Sequence, residues 1–154
     1  MSTNALALAD MDADEYDKYT LFFDGCSKGN PGKAGAGAVL YRTDFGQTEL
    51  TEIWAYAEFV GLNETNNYAE YMGLILGLAE AVRKCLPNLL VKGDSLLIIK
   101  QMQGVYQVNA PHLLPLYQRA CVLAKRIGRV EFEHVYRTEN KRADELANDA
   151  LVHK

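Results

Sequence analysis

The chain has 154 residues, 20 of them acidic and 16 basic, for a formal net charge of −4. That length suits one compact domain, and a composition of 49% hydrophobic and 23% charged residues excludes a disordered or fibrous chain. A negative total argues against gripping nucleic acid, which calls for a surplus of Lys and Arg. The charge is uneven, however: residues 1–17 hold five acids (Asp10, Asp12, Asp14, Glu15, Asp17) and no base, while residues 18–154 hold 16 bases and 15 acids.

Residues 1–17 show no hydrophobic period and are expected to form an acidic, disordered tail ahead of a single domain over 18–154. Tyr19–Asp24 is aromatic and β-branched, a short strand. Gly25–Gly32 reads as a loop around the Asn30-Pro31-Gly32 turn. Ala34–Tyr41 and Gln47–Glu58 read as two further strands, the three together forming an antiparallel meander. The period then changes to that of a helix over Asn66–Lys84, capped by Thr65 or Asn66 and ended before Pro87. Leu89–Gly93 is a short buried strand, Ser95–Gln103 a helix stopped by Gly104, and His112–Ile127 a helix with Pro115 in its first turn. Arg129–Tyr136 alternates as a strand, and Lys141–Val152 closes the chain as a helix. The order β-β-β-α-β-α-α-β-α describes an α/β domain whose second half is parallel.

No stretch is long and apolar enough to span a bilayer, so no membrane partner is expected. The N-terminus lacks the basic flank of a secretory signal or transit peptide. Cys26, Cys85 and Cys121 are widely spaced and match no zinc or redox pattern. Free thiols in a reducing, intracellular setting are expected, cytoplasmic or nuclear rather than secreted. There is no phosphate-loop motif, and Gly35-Ala36-Gly37 lacks the third glycine of a dinucleotide loop.

Four carboxylates stand in apolar surroundings. Asp24 and Asp94 each end an apolar strand, the position where ligands sit in parallel sheets. Glu70 is the only charged residue between Glu64 and Glu80 on a helix apolar on both sides. Asp144 stands above Ala147 and Leu151, apart from the cluster of Arg142, Glu145 and Asp149. Singly, each reads equally well as a helix cap, a surface charge or half of an ion pair. Together they have few bases beside them, only Lys92 and Arg142 within two residues of any of the four. Carboxylates gathered without basic partners form the hard-oxygen environment that binds Mg²⁺ or Mn²⁺.

In these residues the chain resembles type 1 ribonuclease H over about Tyr19 to Val152. The resemblance rests on four segments in order: Phe23-Asp24-Gly25-Cys26-Ser27-Lys28-Gly29-Asn30-Pro31-Gly32, Thr65-Asn66-Asn67-Tyr68-Ala69-Glu70, Gly93-Asp94-Ser95, and His134 through Asn140 to Arg142-Ala143-Asp144-Glu145-Leu146-Ala147. It implies a ribonuclease H-like α/β fold, a five-stranded mixed sheet with strands 1–3 antiparallel, strands 4 and 5 parallel to strand 1, and flanking helices. It further implies cleavage of the RNA strand of an RNA/DNA hybrid by a monomer using two Mg²⁺ ions, with Mn²⁺ able to replace them. By position Asp24, Glu70, Asp94 and Asp144 would bind the metals, and His134 would serve proton transfer or product release. Gly25, Cys26, Ser27, Asn30, Asn66 and Asn67 would meet the hybrid, and Thr65 a DNA phosphate. Asn30 is equally a turn residue, Thr65 and Asn66 equally helix caps, and His134 equally a solvent-facing strand histidine.

The chain departs from the family in two places. Residues 101–109 carry no Lys or Arg where many members have a basic protrusion, and Leu96 stands two residues after Asp94 where some have a polar contact. Arg119, Lys125, Arg126 and Arg129 are the densest basic group, a phosphate track or a solvated helix face. With the four acids neutralised by cations, residues 18–154 would present 16 bases against 11 acids, a mildly basic body suited to weak hybrid binding. The alternative is a ribonuclease H-like nucleic-acid-binding domain with little or no turnover.

Overall fold

A computed structural model describes residues 16–152. Five strands form one mixed sheet in the order β3-β2-β1-β4-β5. The strands are β1 (Lys18–Lys28), β2 (Gly32–Thr43), β3 (Thr51–Glu64), β4 (Leu89–Gly93) and β5 (Val130–His134). The helices are α1 (Asn66–Arg83), α2 (Leu96–Met102), α3 (Leu114–Ile127) and α4 (Lys141–Val152), with a 3-10 turn at Arg137–Glu139. β1, β2 and β3 pair antiparallel, β4 pairs parallel to β1, and β5 parallel to β4, as the sequence led us to expect.

Several boundaries differ from the expectation. β1 does not end at Asp24: it continues through the segment read as a loop, paired with β2 from Lys18↔Thr43 to Lys28↔Lys33. Gly25 and the Asn-Pro-Gly turn suggested a break, but the turn itself occupies only three residues. Gly29 (φ +114°) and Asn30 (φ +32°) take left-handed conformations there, which glycine and asparagine tolerate best. β3 starts later and ends later than expected, running to Glu64 and straight into α1. β5 is shorter at both ends than the expected Arg129–Tyr136. α3 starts two residues after His112, with Pro115 in its first turn. Residues 1–15 of the expected tail lie outside the described residues. Tyr16 and Asp17 belong with the domain: the Asp17 carboxylate accepts the Phe45 N–H at 2.7 Å, and its carbonyl accepts from Asn88 at 3.0 Å.

The core lies between the sheet and α1, with Leu21, Phe23, Leu40, Tyr71, Leu74, Leu78 and Val91 fully buried. Burying such side chains stabilises the fold by about 1.5–3 kcal/mol each. α1 approaches β1 backbone to backbone. A Cβ added at Gly25 would stand 2.2 Å from the Ala69 carbonyl carbon, and one at Gly73 would stand 2.5 Å from the Asp24 carbonyl oxygen. α4 covers the opposite face over β2, β1 and β3. Among the described residues no helix is long and apolar enough to cross a membrane. Arg119, Lys125 and Arg126 lie exposed on α3.

Candidate metal centre and its cleft

The site follows from strand register. Parallel pairing of β1 with β4 ends at Phe23↔Gly93. The next residue of each strand, Asp24 and Asp94, therefore emerges at the same edge of the sheet. The glycine-mediated contact of α1 with β1 sets Glu70, in the first turns of α1, against the same edge. One oxygen each from Asp24, Glu70 and Asp94 lies within 4.8 Å of the other two. Asp144, from the first turn of α4, stands outside that group but lines the same cleft of about 380 Å³, with Gly25, Cys26, Ser27, Asn66 and Arg137.

Burial and mutual charge dominate the electrostatics. Asp24 is pushed up to about 7, first by burial and then by the negative charge of Asp94. Glu70 lies well above the usual carboxylate range because it is buried, with Asp24 and Asp94 adding to the effect. Asp94 is raised by burial, against which the Asn140 hydrogen bond and the Arg137 charge act. One Glu70 oxygen, Oε1, is buried with no hydrogen-bond partner. An orphaned buried carboxylate oxygen costs several kcal/mol as an order of magnitude. A divalent cation removes that cost, because hard carboxylate oxygens are its preferred ligands. The residues present therefore fit a divalent cation.

Some expected residues surround the cleft without lining it. Thr65 caps α1 by accepting the Tyr68 N–H at 3.1 Å and lies 3.5 Å from His112 Nε2. Asn30 accepts the Asn66 N–H at 2.9 Å, and Asn66 Oδ1 accepts the Ser27 N–H at 2.8 Å. Ser27 Oγ donates to the Glu64 carbonyl at 2.7 Å. These bonds tie the β1–β2 turn to the start of α1. Asn67 and His134 are not among the cleft-lining residues. His134 ends β5 opposite Gly93 and packs edge-on against Tyr136 at 5.7 Å.

Two contributors escaped the sequence reading. Arg137 is seven residues from Asp144, the nearest of the four acids in sequence, and the 3-10 turn carries it to the cleft that the acids line. Asn140, 1% exposed, donates to the Phe23 carbonyl at 2.9 Å and so locks the start of α4 to the end of the part of β1 that pairs with β4. Its place in the motif was visible, but a buried amide carries no period that marks it.

A family model described as reverse transcriptase-like matches residues 22–150. A bifunctional protein of Mycobacterium tuberculosis is 44% identical over 134 residues, 87% of this chain but 35% of that protein. The chain thus spans about a third of the length of the first curated relatives it matches. Ribonuclease HI of Halobacterium salinarum is 38% identical over 130 residues, covering 84% of this chain and 62% of that protein. The crystal structure of ribonuclease H1 from the same archaeon matches with a TM-score of 0.81 at 35% identity, covering 89% of this chain and 99% of that one. LC11 ribonuclease H1, solved in complex with an RNA/DNA hybrid, matches with a TM-score of 0.78 at 34% identity, covering 88% and 98%.

Proposed function

The chain belongs to the type 1 ribonuclease H family, and from that membership we propose that it hydrolyses the RNA strand of RNA/DNA hybrids. Asp24, Glu70, Asp94 and Asp144 would hold two divalent cations, Mg²⁺ with Mn²⁺ able to replace it. The observation that carries the reading is the buried, unpartnered Glu70 oxygen within a three-acid cluster. When bound, such cations supply an activated water and offset charge on the leaving oxygen.

The chain's own residues do the rest. The Gly25–Ser27 segment of β1 lines the cleft, where its backbone would meet the minor groove of the hybrid. Only the RNA strand displays 2′-hydroxyls there, donor and acceptor at once. Asn66, held by Asn30 and Ser27, offers its side chain at the rim. Arg137 brings positive charge to the side of Asp94, where it would offset a scissile phosphate; His134 packs against Tyr136 instead. With one net positive charge over residues 18–154 before cations bind, hybrid binding is expected to be weak, and salt-dependent to the extent that it rests on phosphate contacts.

The deciding assay presents labelled RNA/DNA hybrid, double-stranded RNA and double-stranded DNA side by side at fixed salt. Cleavage of the hybrid's RNA strand that EDTA and Asp24→Asn both abolish is the expected result. Saturable hybrid binding with no cleavage in either Mg²⁺ or Mn²⁺ would replace the reading with that of a binding domain.

A further inference from the structure

Asp144 is the acid least constrained by the sheet. It comes from α4, is half-buried, and stands outside the three-acid group. One turn later, Asn148 donates from Nδ2 to the Asp144 carbonyl at 2.9 Å and to its carboxylate Oδ1 at 3.3 Å. The other end of the amide faces β1. Asn148 Oδ1 accepts from Lys28 Nζ at 3.3 Å and from the Cys26 thiol at 3.9 Å.

An amide has an acceptor end and a donor end, and either orientation fits the same volume. Here the surroundings choose. A lysine ammonium has only donors, and a carbonyl and a carboxylate have only acceptors. Flipping the Asn148 amide would set its NH₂ against Lys28 and its oxygen against two oxygens of Asp144. The donor end is therefore fixed on Asp144, and two contacts from a strand 120 residues away in sequence hold it there. The Asp144 carboxylate so held lines the same cleft as Asp24.

We infer that Asn148 is the positioning residue for Asp144. It acts through that carboxylate, with Lys28 and Cys26 locking the amide's orientation. The inference rests on the reading of the four acids as cation ligands. Groups that orient a ligand from behind commonly set affinity as strongly as the ligand's own placement does.

The test needs no nucleic acid. Mn²⁺ is titrated into the full chain by calorimetry, with melting temperature in EDTA as the control for folding. Asn148→Ala should weaken Mn²⁺ binding about 10-fold with its EDTA melting temperature close to that of the parent. Asn148→Gln, which keeps the amide, should recover part of the loss. Lys28→Met, which leaves α4 untouched, should weaken binding about 2- to 5-fold by freeing the amide. In an Asp144→Asn background, removing Asn148 should change affinity less than about 2-fold, since the residue it acts through is gone. Unchanged Mn²⁺ affinity in Asn148→Ala overturns the inference, as does an undiminished loss in the Asp144→Asn background. If the variants behave as expected but the parent leaves hybrid intact, the nuclease reading falls and this inference stands.

Discussion

Asp24→Asn should stabilise the cation-free protein, although it removes the centre of the site. Asp24 titrates near 3.8 in an unfolded chain and at about 7 in the folded one. Between those values the folded state holds the extra proton, so stability is full below pH 4 and falls as pH rises to 7. The displacement is about 3 pH units, and at about 1.4 kcal/mol per unit it sets a ceiling of about 4 kcal/mol. Glu70 shifts in the same direction, so the slope of the parent protein is at least that of Asp24. Asparagine carries no charge at any pH and also relieves Glu70 of its neighbour. Its amide must still find partners, which leaves a net gain of about 2 kcal/mol, or about 4–8 °C in melting temperature. The assay is thermal unfolding of both proteins in EDTA from pH 4.5 to 8, repeated with Mg²⁺. In EDTA the variant should melt higher above pH 7 and show a shallower pH slope. Mg²⁺ should narrow or reverse the gap, because only the parent has the full ligand set to gain from binding. A variant less stable than the parent in EDTA at pH 8, or a parent whose stability is flat from pH 4.5 to 7, would refute the electrostatic account of the cleft.

Three further outcomes follow from the geometry. Gly25→Ala would drive its Cβ to 2.2 Å from backbone carbon in α1; a loss of about 3 kcal/mol or more is expected, read as a drop in urea midpoint. Tyr71→Phe removes a buried bond to Gln101 Oε1 of 2.6 Å. It should cost about 1–2 kcal/mol with hybrid cleavage unchanged at temperatures where the variant stays folded. Arg137→Met removes an exposed cation from the cleft rim and should lower the cleavage rate about 10-fold or more, with the melting temperature in EDTA within about 2 °C of the parent; His134→Ala should have the smaller effect on rate.

The acids were legible because each interrupts an apolar pattern, and a carboxylate among Leu, Val and Phe needs a reason. Their convergence was legible in part: Asp24 and Asp94 end what read as two parallel strands, and register does the rest. The length of β1 was not legible. Gly25 looks like a breaker in one dimension, whereas in three it is where α1 presses its backbone onto the strand. Asn30 reads from the sequence as a turn residue or a hybrid contact, yet its carboxamide oxygen also holds the first N–H of α1. Arg137 was invisible for a different reason. Proximity to Asp94 arises from a 3-10 turn and from β5 lying beside β4, neither of which leaves a period in the sequence. His134 had only its spacing in favour, and spacing does not say which way a ring at a strand end will pack.

The pairing of β1 with β4 also has a meaning in time. A parallel neighbour cannot be reached by a tight turn, so Asp24 waits for the whole of β2, β3 and α1 before Asp94 can stand beside it, and the last carboxylate arrives only with α4. On the proposed reading, a ribosome releasing this chain from its N-terminus completes the set of four acids only when residue 144 has emerged. A cation signal that needs all four would then report that α4 has docked.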